Sequence, residues 1–232
     1  MRRIVNEPDL KLFVFYGLLL IPTFFLCYES NISFFFVVVA MLLTSVIEIP
    51  VYKTRTKKPE YRELEAVCIG EFYGVSISEE MQKGNERMYK TSVTLNVGGF
   101  IIPLFFAFYL LLSYPALLLE VAMSVLLMML FSYMLSEVKG GVGIVIPGYV
   151  GIFAIPLGLI LAAPLELPLE NVAGLLIFVP AILGILLGML IRLATLRKEE
   201  EVGSAFFNIG GIGSFQSIFL ISLLALLIGT VA

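Results

Sequence analysis

The sequence contains no histidine and no tryptophan, and its 232 residues include only two cysteines. Histidine is the usual general base near neutral pH and the commonest metal ligand, so its absence excludes Ser-His-Asp and Cys-His catalysis, zinc proteases and haem ligation. Cys27 and Cys68 are too few for a cysteine-based metal cluster, and Asp9, the single aspartate, excludes chemistry that needs two intramembrane aspartates. We therefore expect no catalytic residues of these kinds, no metal and no cofactor.

Charge is also scarce. Charged residues make up 14% of the chain, apolar residues 59%, and the mean hydropathy is +1.01. A soluble domain carries about a quarter charged and about half apolar residues. The excess of apolar side chains predicts an integral membrane protein, whose partners include membrane lipids.

Long apolar runs predict about seven transmembrane helices, because a span needs about 20 apolar residues. Six or eight spans remain alternatives. The expected fold is an all-α polytopic membrane protein with one membrane domain, 1–232. The predicted spans are 10–28, 32–50, 97–112, 116–135, 144–163, 172–193 and 205–232.

The basic residues favour one orientation of these spans. With the N-terminus in the cytoplasm, all 15 Lys and Arg fall on the N-terminus or on loops expected inside, and the outer loops carry acids such as Glu29, Glu166 and Glu170. The positive-inside rule then predicts a multi-pass cell-membrane protein with its C-terminus outside. The membrane separates Cys27 from Cys68 in this topology, so no disulfide joins them.

The predicted cytoplasmic loop, 51–90, opens with the basic run 53–58. This run fits an ordinary positive-inside anchor, and attraction to anionic headgroups is the alternative. Short apolar stretches on either side of Gly70-Glu71 predict a small hairpin over 66–77.

The clearest motif is an internal echo, Ser-x-x-x-Asn-x-Gly-Gly, at 92–99 and again at 204–211. A third glycine pair opens the fifth span. Glycines at helix starts allow close helix packing, or they expose amides that bind a polar or anionic ligand. Under the second interpretation the candidate ligand-binding residues are Glu48, Ser92, Asn96, Gly98, Gly99, Gly140, Gly141, Gly143, Ser204, Asn208, Gly210, Gly211, Gly213, Ser214 and Gln216.

Two further features come from the apolar spans. Gly184 and Gly188 form a GxxxG pattern, which is typical of close helix contacts. Glu48 and Glu120 lie near span ends, where an interfacial role is the simpler interpretation. Glu48 is the better functional candidate because it lies on the same side as the glycine motifs.

The motifs at 47–53, 96–103, 141–147 and 209–220 together resemble an uncharacterised prokaryotic integral membrane family, domain-of-unknown-function family sixteen-fourteen. The resemblance extends from about Ile32 onward. Where the family pattern carries Thr-Phe-Asp-Gly and Gly-Ala-Asp, this chain has Ser214-Phe215-Gln216-Ser217 and Gly188-Met189-Leu190, so it resembles a divergent member. The resemblance implies the architecture and names no substrate.

These observations leave three functions open. The leading hypothesis is a protein that binds or transports a small polar or anionic solute, or a lipid headgroup, at a cytoplasm-facing glycine-rich site. The alternatives are a structural or accessory membrane protein with a cytoplasmic protein partner, and an atypical intramembrane enzyme. A small anionic ligand and a second copy of the chain are the other partners considered, and nucleic acid is not expected.

Overall fold

A computed structural model describes residues 10–57, 88–139, 142–165, 167–196 and 206–230 of the chain. These residues are mostly helical, as the composition predicts. The helices of nine residues or more in these ranges are α1 (Leu10–Cys27), α2 (Ile32–Thr44), α3 (Ile102–Ser113), α4 (Leu118–Leu135), α5 (Ala154–Ala162), α6 (Val179–Thr195) and α7 (Phe215–Thr230).

Irregular helical turns lead into four of these helices. Wide π-helical turns, Val97–Ile101 and Val172–Phe178, precede α3 and α6, and each is followed at once by a proline in the first turn of the helix. Because proline has no N–H to donate, the regular hydrogen-bond ladder is interrupted where the π-helical turns end. Tighter 3₁₀ turns, Pro115–Leu117 and Val150–Phe153, precede α4 and α5.

Short strands lie between the helices, and the expected all-α class omitted them. Strand β1 (Glu48–Lys57) is antiparallel to β2 (Met88–Asn96), and β2 is parallel to β5 (Phe206–Ile209). Strands β3 (Glu137–Lys139) and β4 (Gly143–Val145) form a separate antiparallel pair. The hairpin expected over 66–77 lies outside the described residues.

These strands correct three of the predicted spans. The second span, 32–50, is helical only to Thr44; the fifth, 144–163, begins as a strand; and the seventh, 205–232, begins as β5. A short apolar run has the same composition in a buried strand as in a helix, so composition alone cannot tell the two apart. Pro50 is tolerated in β1 because that strand lies at the edge of the three-stranded sheet.

Helix α6 is the core of the bundle. Its buried face packs against α4 through glycines: a Cβ at Gly184 would lie 2.9 Å from the backbone of Met128, and one at Gly188 would lie 2.7 Å from the Cβ of Ser132. The same spacing of four residues on both helices shows that α4 and α6 run in the same direction. The close contact predicted from the GxxxG pattern is therefore confirmed.

All the described strands lie at one end of the bundle, here named the strand end. Asn96 contacts Ser45 there, and the backbone N–H of Ile146 donates to the carbonyl of Gly213 over 2.7 Å. At the opposite end, named the far end, the side-chain amide of Asn31 donates to the carbonyl of Gly229 over 2.9 Å. Successive helices therefore alternate in direction between the two ends.

Two helical stretches, Pro115–Leu135 and Leu169–Thr195, are long and apolar enough to cross a membrane. The first is largely exposed and the second is largely buried in the bundle. The other apolar helices in the described ranges are shorter.

Candidate functional site

The two echoed motifs lie side by side. In the parallel pair of β2 and β5, Thr94 is opposite Asn208 and Leu95 is opposite Ile209. Asn96 and Asn208, which occupy equivalent places in the echo, are therefore offset by two residues in the sheet. Because side chains alternate along a strand, Thr94, Asn96 and Asn208 lie on the same face.

The glycines that follow the two strands pack against backbone. A Cβ at Gly99 would lie 2.8 Å from the carbonyl carbon of Gly210, and a Cβ at Gly98 would lie 2.7 Å from the backbone nitrogen of Ser45. Gly210 also has a φ of +80°, a conformation that L side chains rarely adopt. These contacts bring the starts of α3 and α7 and the end of α2 together without intervening side chains.

Asn96 holds the start of α3 in place. Its side-chain oxygen accepts a hydrogen bond of 2.9 Å from the N–H of Gly99, and its side-chain nitrogen donates to the carbonyl of Ser45. Asn96 is fully buried, so both bonds are shielded from water. The amide of Gly99 is consequently not available to an anion, although exposed helix-start amides were the basis for expecting one.

A polar cluster, here named the Glu48 cluster and consisting of Glu48, Thr94 and Asn208, joins the three strands. The side-chain nitrogen of Asn208 donates to one carboxylate oxygen of Glu48, and the hydroxyl of Thr94 donates to the other over 3.3 Å. Thr94 is 6% exposed and Asn208 1% exposed, whereas Glu48 is half-buried. The cluster therefore places an acid at the strand end with one edge toward solvent.

The third glycine motif is only partly described, because Gly140 and Gly141 lie outside the described residues. Gly143 begins β4 with a φ of 101°. Gly213, with a φ of 89°, is packed so that its Cβ would lie 3.2 Å from the carbonyl oxygen of Ile144. The loop around β4 thus packs beside the start of α7.

The remaining candidate residues have separate surroundings. Ser214 is buried, and its hydroxyl donates to the carbonyl of Gly211 over 3.3 Å. Gln216 is exposed, contacts Gly148 and hydrogen-bonds the side chain of Tyr16 in α1. Neither side chain is among the partners found for the Glu48 cluster.

Two serines complete the set. Ser92 is half-buried in β2, opposite Lys53 on one side and Phe206 on the other. Ser204 lies outside the described residues. The structure thus brings Glu48, Asn208 and Asn96 to one place, and it adds Thr94.

Sequence reasoning missed Thr94. It lies two residues before Asn96, so a strand at this position puts both side chains on one face. The sequence Lys90-Thr-Ser-Val-Thr-Leu-Asn96, rich in β-branched residues, carries the signal that would have predicted the strand. The long apolar run that follows led instead to an interpretation centred on the helix start.

Comparison with known proteins gives one match. The sequence model of DUF1614, described as a protein of unknown function, matches residues 42–228. No curated protein and no solved structure matches the chain. The matched region contains all three residues of the Glu48 cluster and both echoed motifs. The chain therefore belongs to the DUF1614 family of proteins of unknown function.

Proposed function

We propose that this chain is a multi-pass membrane protein that binds or transports a small polar solute or a lipid headgroup at the Glu48 cluster. The observation that carries the proposal is a carboxylate held by two buried polar side chains, Thr94 and Asn208, at the end of an apolar bundle. Buried polar groups in such surroundings are costly unless they meet partners, and ionisable groups of this kind mark binding sites by default.

Exposed apolar side chains support the membrane setting. Large apolar residues are more than half exposed on several helices, which in water would form an aggregation-prone surface far larger than the single patches common on soluble proteins. Lipid is the environment in which such a surface is stable. Examples are Phe15, Leu18 and Phe25 on α1, Phe105, Tyr109 and Leu112 on α3, and Leu119, Leu126 and Met134 on α4.

The distribution of charge supports an orientation. All the basic residues in the described ranges lie at the strand end: Lys11, Lys53, Arg55, Lys57, Lys90, Lys139 and Arg192. The acids Glu29 and Glu170 lie at the far end. By the positive-inside rule the strand end faces the cytoplasm, which puts the N-terminus inside and the C-terminus outside.

The chemistry of the cluster favours some polar ligands over others. An anion would meet the carboxylate of Glu48, and the amide of Gly99 that could attract it is already bonded to Asn96. A neutral or positively charged group that donates a hydrogen bond would instead find the side-chain oxygen of Asn208, which has no hydrogen-bond partner in the described structure and lies beside the carboxylate of Glu48. The proposed ligand therefore presents hydrogen-bond donors or positive charge to the cluster.

Ligand-dependent thermal stabilisation tests this proposal. The detergent-purified protein is melted at a fixed NaCl concentration with amino acids, polyamines, sugars, nucleotides and phospholipid headgroups. A ligand that binds the folded state at ten times its Kd raises the Tm by about 3–6 °C for a chain of this size. We expect such a rise with the wild type and its loss in Glu48→Gln.

The matched control is Glu137→Gln, which removes an exposed carboxylate at the same end of the bundle. We expect this variant to retain the full response. If no member of the panel shifts the wild type and a stoichiometric protein partner co-purifies with it, the proposal fails and an accessory role replaces it.

A further inference from the structure

Two polar side chains on α4 have buried oxygens without hydrogen-bond partners. They are the carboxylate oxygen Oε2 of Glu120 and the hydroxyl of Ser124, here named the Glu120 site, and neither oxygen has a partner in the described structure. Ser124 is fully buried and Glu120 is half-buried. Buried polar groups almost always have a partner. Two orphaned oxygens on neighbouring turns of one helix therefore indicate a missing group.

The two residues are one helical turn apart, at i and i+4, so their side chains are neighbours on one face of α4. Side chains of a helix lean toward its N-terminus, which places the hydroxyl of Ser124 over the turn that contains Glu120. A buried hydroxyl can instead bond to the carbonyl four residues earlier, as Ser222 of α7 does with Ile218. Ser124 makes no such bond, so its hydroxyl is left for another partner.

The neighbouring elements do not supply that partner. Met128 on α4 faces Gly184 on α6. The parallel packing of these helices puts Ser124, one turn earlier, opposite Pro180, which has no N–H to donate and no polar side chain. Glu120 makes no ion pair among the described residues, and every Lys and Arg in the described ranges lies at the strand end. The missing group therefore comes from outside the described chain.

The chemistry of the Glu120 site selects the kind of group. Glu120 lies in the first turn of α4, where the helix dipole favours the charged carboxylate, and this charge repels anions. A hard metal cation takes about six or more oxygen ligands, and only two oxygens are unpartnered here. A primary ammonium group is positively charged and has three N–H donors, two for these oxygens and one for water.

We propose that the Glu120 site binds a primary ammonium group, from a phospholipid headgroup or a soluble amine, at the far-end surface of the membrane. Helix α4 has 18 residues and is about 27 Å long, close to the thickness of a bilayer core. Its first turn therefore lies at the depth of the headgroups. Leu119 and Met123 are more than half exposed, so lipid lies beside the site. The inference depends on the proposed membrane setting and not on the Glu48 cluster.

Matched phospholipids test this proposal. The purified full chain is melted in detergent micelles with increasing fractions of phosphatidylethanolamine, or of phosphatidylcholine with the same acyl chains, whose trimethylated nitrogen has no N–H to donate. We expect phosphatidylethanolamine, and not phosphatidylcholine, to raise the Tm saturably, by about 3–6 °C at ten times its apparent Kd. Soluble ethanolamine identifies the source: a rise with it assigns the site to free amines, and a rise with the lipid alone assigns it to the headgroup.

Glu120→Gln and Ser124→Ala should each weaken this response. Ser124→Ala keeps the test interpretable if Glu120→Gln does not fold, because it removes an oxygen that makes no bond and should not lower the Tm in phosphatidylcholine. The matched control is Ser222→Ala, which removes an equally buried hydroxyl bonded to the carbonyl of Ile218 over 2.7 Å. It should lower the Tm in both lipids and keep the full response. Glu29→Gln, which removes an exposed carboxylate at the far end, should also keep it.

Equal melting of the wild type in both lipids, together with no response to ethanolamine, would overturn the ammonium site. So would a rise that persists undiminished in Glu120→Gln and Ser124→Ala, because the amine would then act elsewhere. A rise that is lost in Glu48→Gln and kept in Glu120→Gln would assign the amine to the Glu48 cluster. That result would support the proposed function and overturn only this inference.

Discussion

Gly99 cannot carry a side chain because the backbone of Gly210 fills the space where a Cβ would lie. The contact joins the starts of α3 and α7, which are more than a hundred residues apart in sequence, and it fixes where β2 and β5 end. A backbone-to-backbone contact cannot relax by a rotamer change. Adding a single carbon atom at position 99 should therefore destabilise the fold more than at most positions in the bundle.

Gly99→Ala should destabilise the protein by about 3 kcal/mol or more, at the upper end of the cost of overpacking. The matched control is Gly17→Ala in α1, where a Cβ would meet nothing within 4 Å. That substitution should be neutral or stabilise by up to about 1 kcal/mol through helix propensity. Because the sequence has no Trp, unfolding is followed by circular dichroism or by dye labelling of buried Cys27.

The side chain of Asn96 caps the start of a helix, whereas that of Asn208 donates to the carboxylate of Glu48. Asn96→Ala should cost about 2 kcal/mol, because the amide of Gly99 loses its cap and the carbonyl of Ser45 loses its donor. A ligand that stabilises the wild type in the melting panel should raise the Tm of Asn96→Ala by the same amount. A variant with wild-type Tm that no longer responds to that ligand would place Asn96 among the ligand-binding residues instead.

At the scale of whole elements, the α4–α6 contact depends on small residues that face each other. Gly188→Ala should lower the Tm, because its Cβ would lie 2.7 Å from the Cβ of Ser132, with an expected cost of about 1–3 kcal/mol. Adding Ser132→Gly removes the opposing atom and should recover most of the loss. Leu187→Ala, on the exposed side of α6, is the control and should change the Tm little.

Failure of Ser132→Gly to rescue Gly188→Ala would mean that the two helices are not held by this contact. The double-mutant cycle reports this directly, because only residues in contact give a coupling energy that differs from zero.

At the scale of the molecule, the proposed orientation predicts which residues are accessible from each side. In a Cys27→Ser, Cys68→Ser background, Glu29→Cys and Glu170→Cys should react with an impermeant maleimide on intact cells. Lys53→Cys and Glu137→Cys should react only after permeabilisation, since they lie at the strand end. All four native side chains are exposed, so burial does not limit labelling. Labelling of position 53 in intact cells would reverse the orientation.

Much of the helical architecture follows from the sequence because long apolar runs and their polar breaks are local signals. Helix α1 matches its predicted span to within one residue, and α4 starts two residues later than predicted and ends as predicted. The pairing of the strands could not be predicted in this way, because β5 pairs with β2 across a sequence separation that no local pattern reports. The first residues of β1, 48–50, fell in the predicted second span because composition alone does not distinguish a short apolar strand from the end of a helix.

The charged residue and the amides of the candidate site could be predicted from the sequence, but their arrangement in space could not. Glu48 and Asn208 are recognisable as polar residues beside apolar spans, but only the three-stranded sheet brings them together. The packing of Gly98 and Gly99 against backbone depends on the chain path of α2 and α7, which the motif itself does not contain.

The pairing of β2 with β5 also sets an order of biosynthesis. When the ribosome has made β2, its parallel partner β5 has not yet been synthesised, and four helices, α3 to α6, must be synthesised first. Until then β2 has an open edge, and Glu48 lacks the amide of Asn208. The cluster is thus completed only near the end of translation, when nearly the whole bundle has been synthesised.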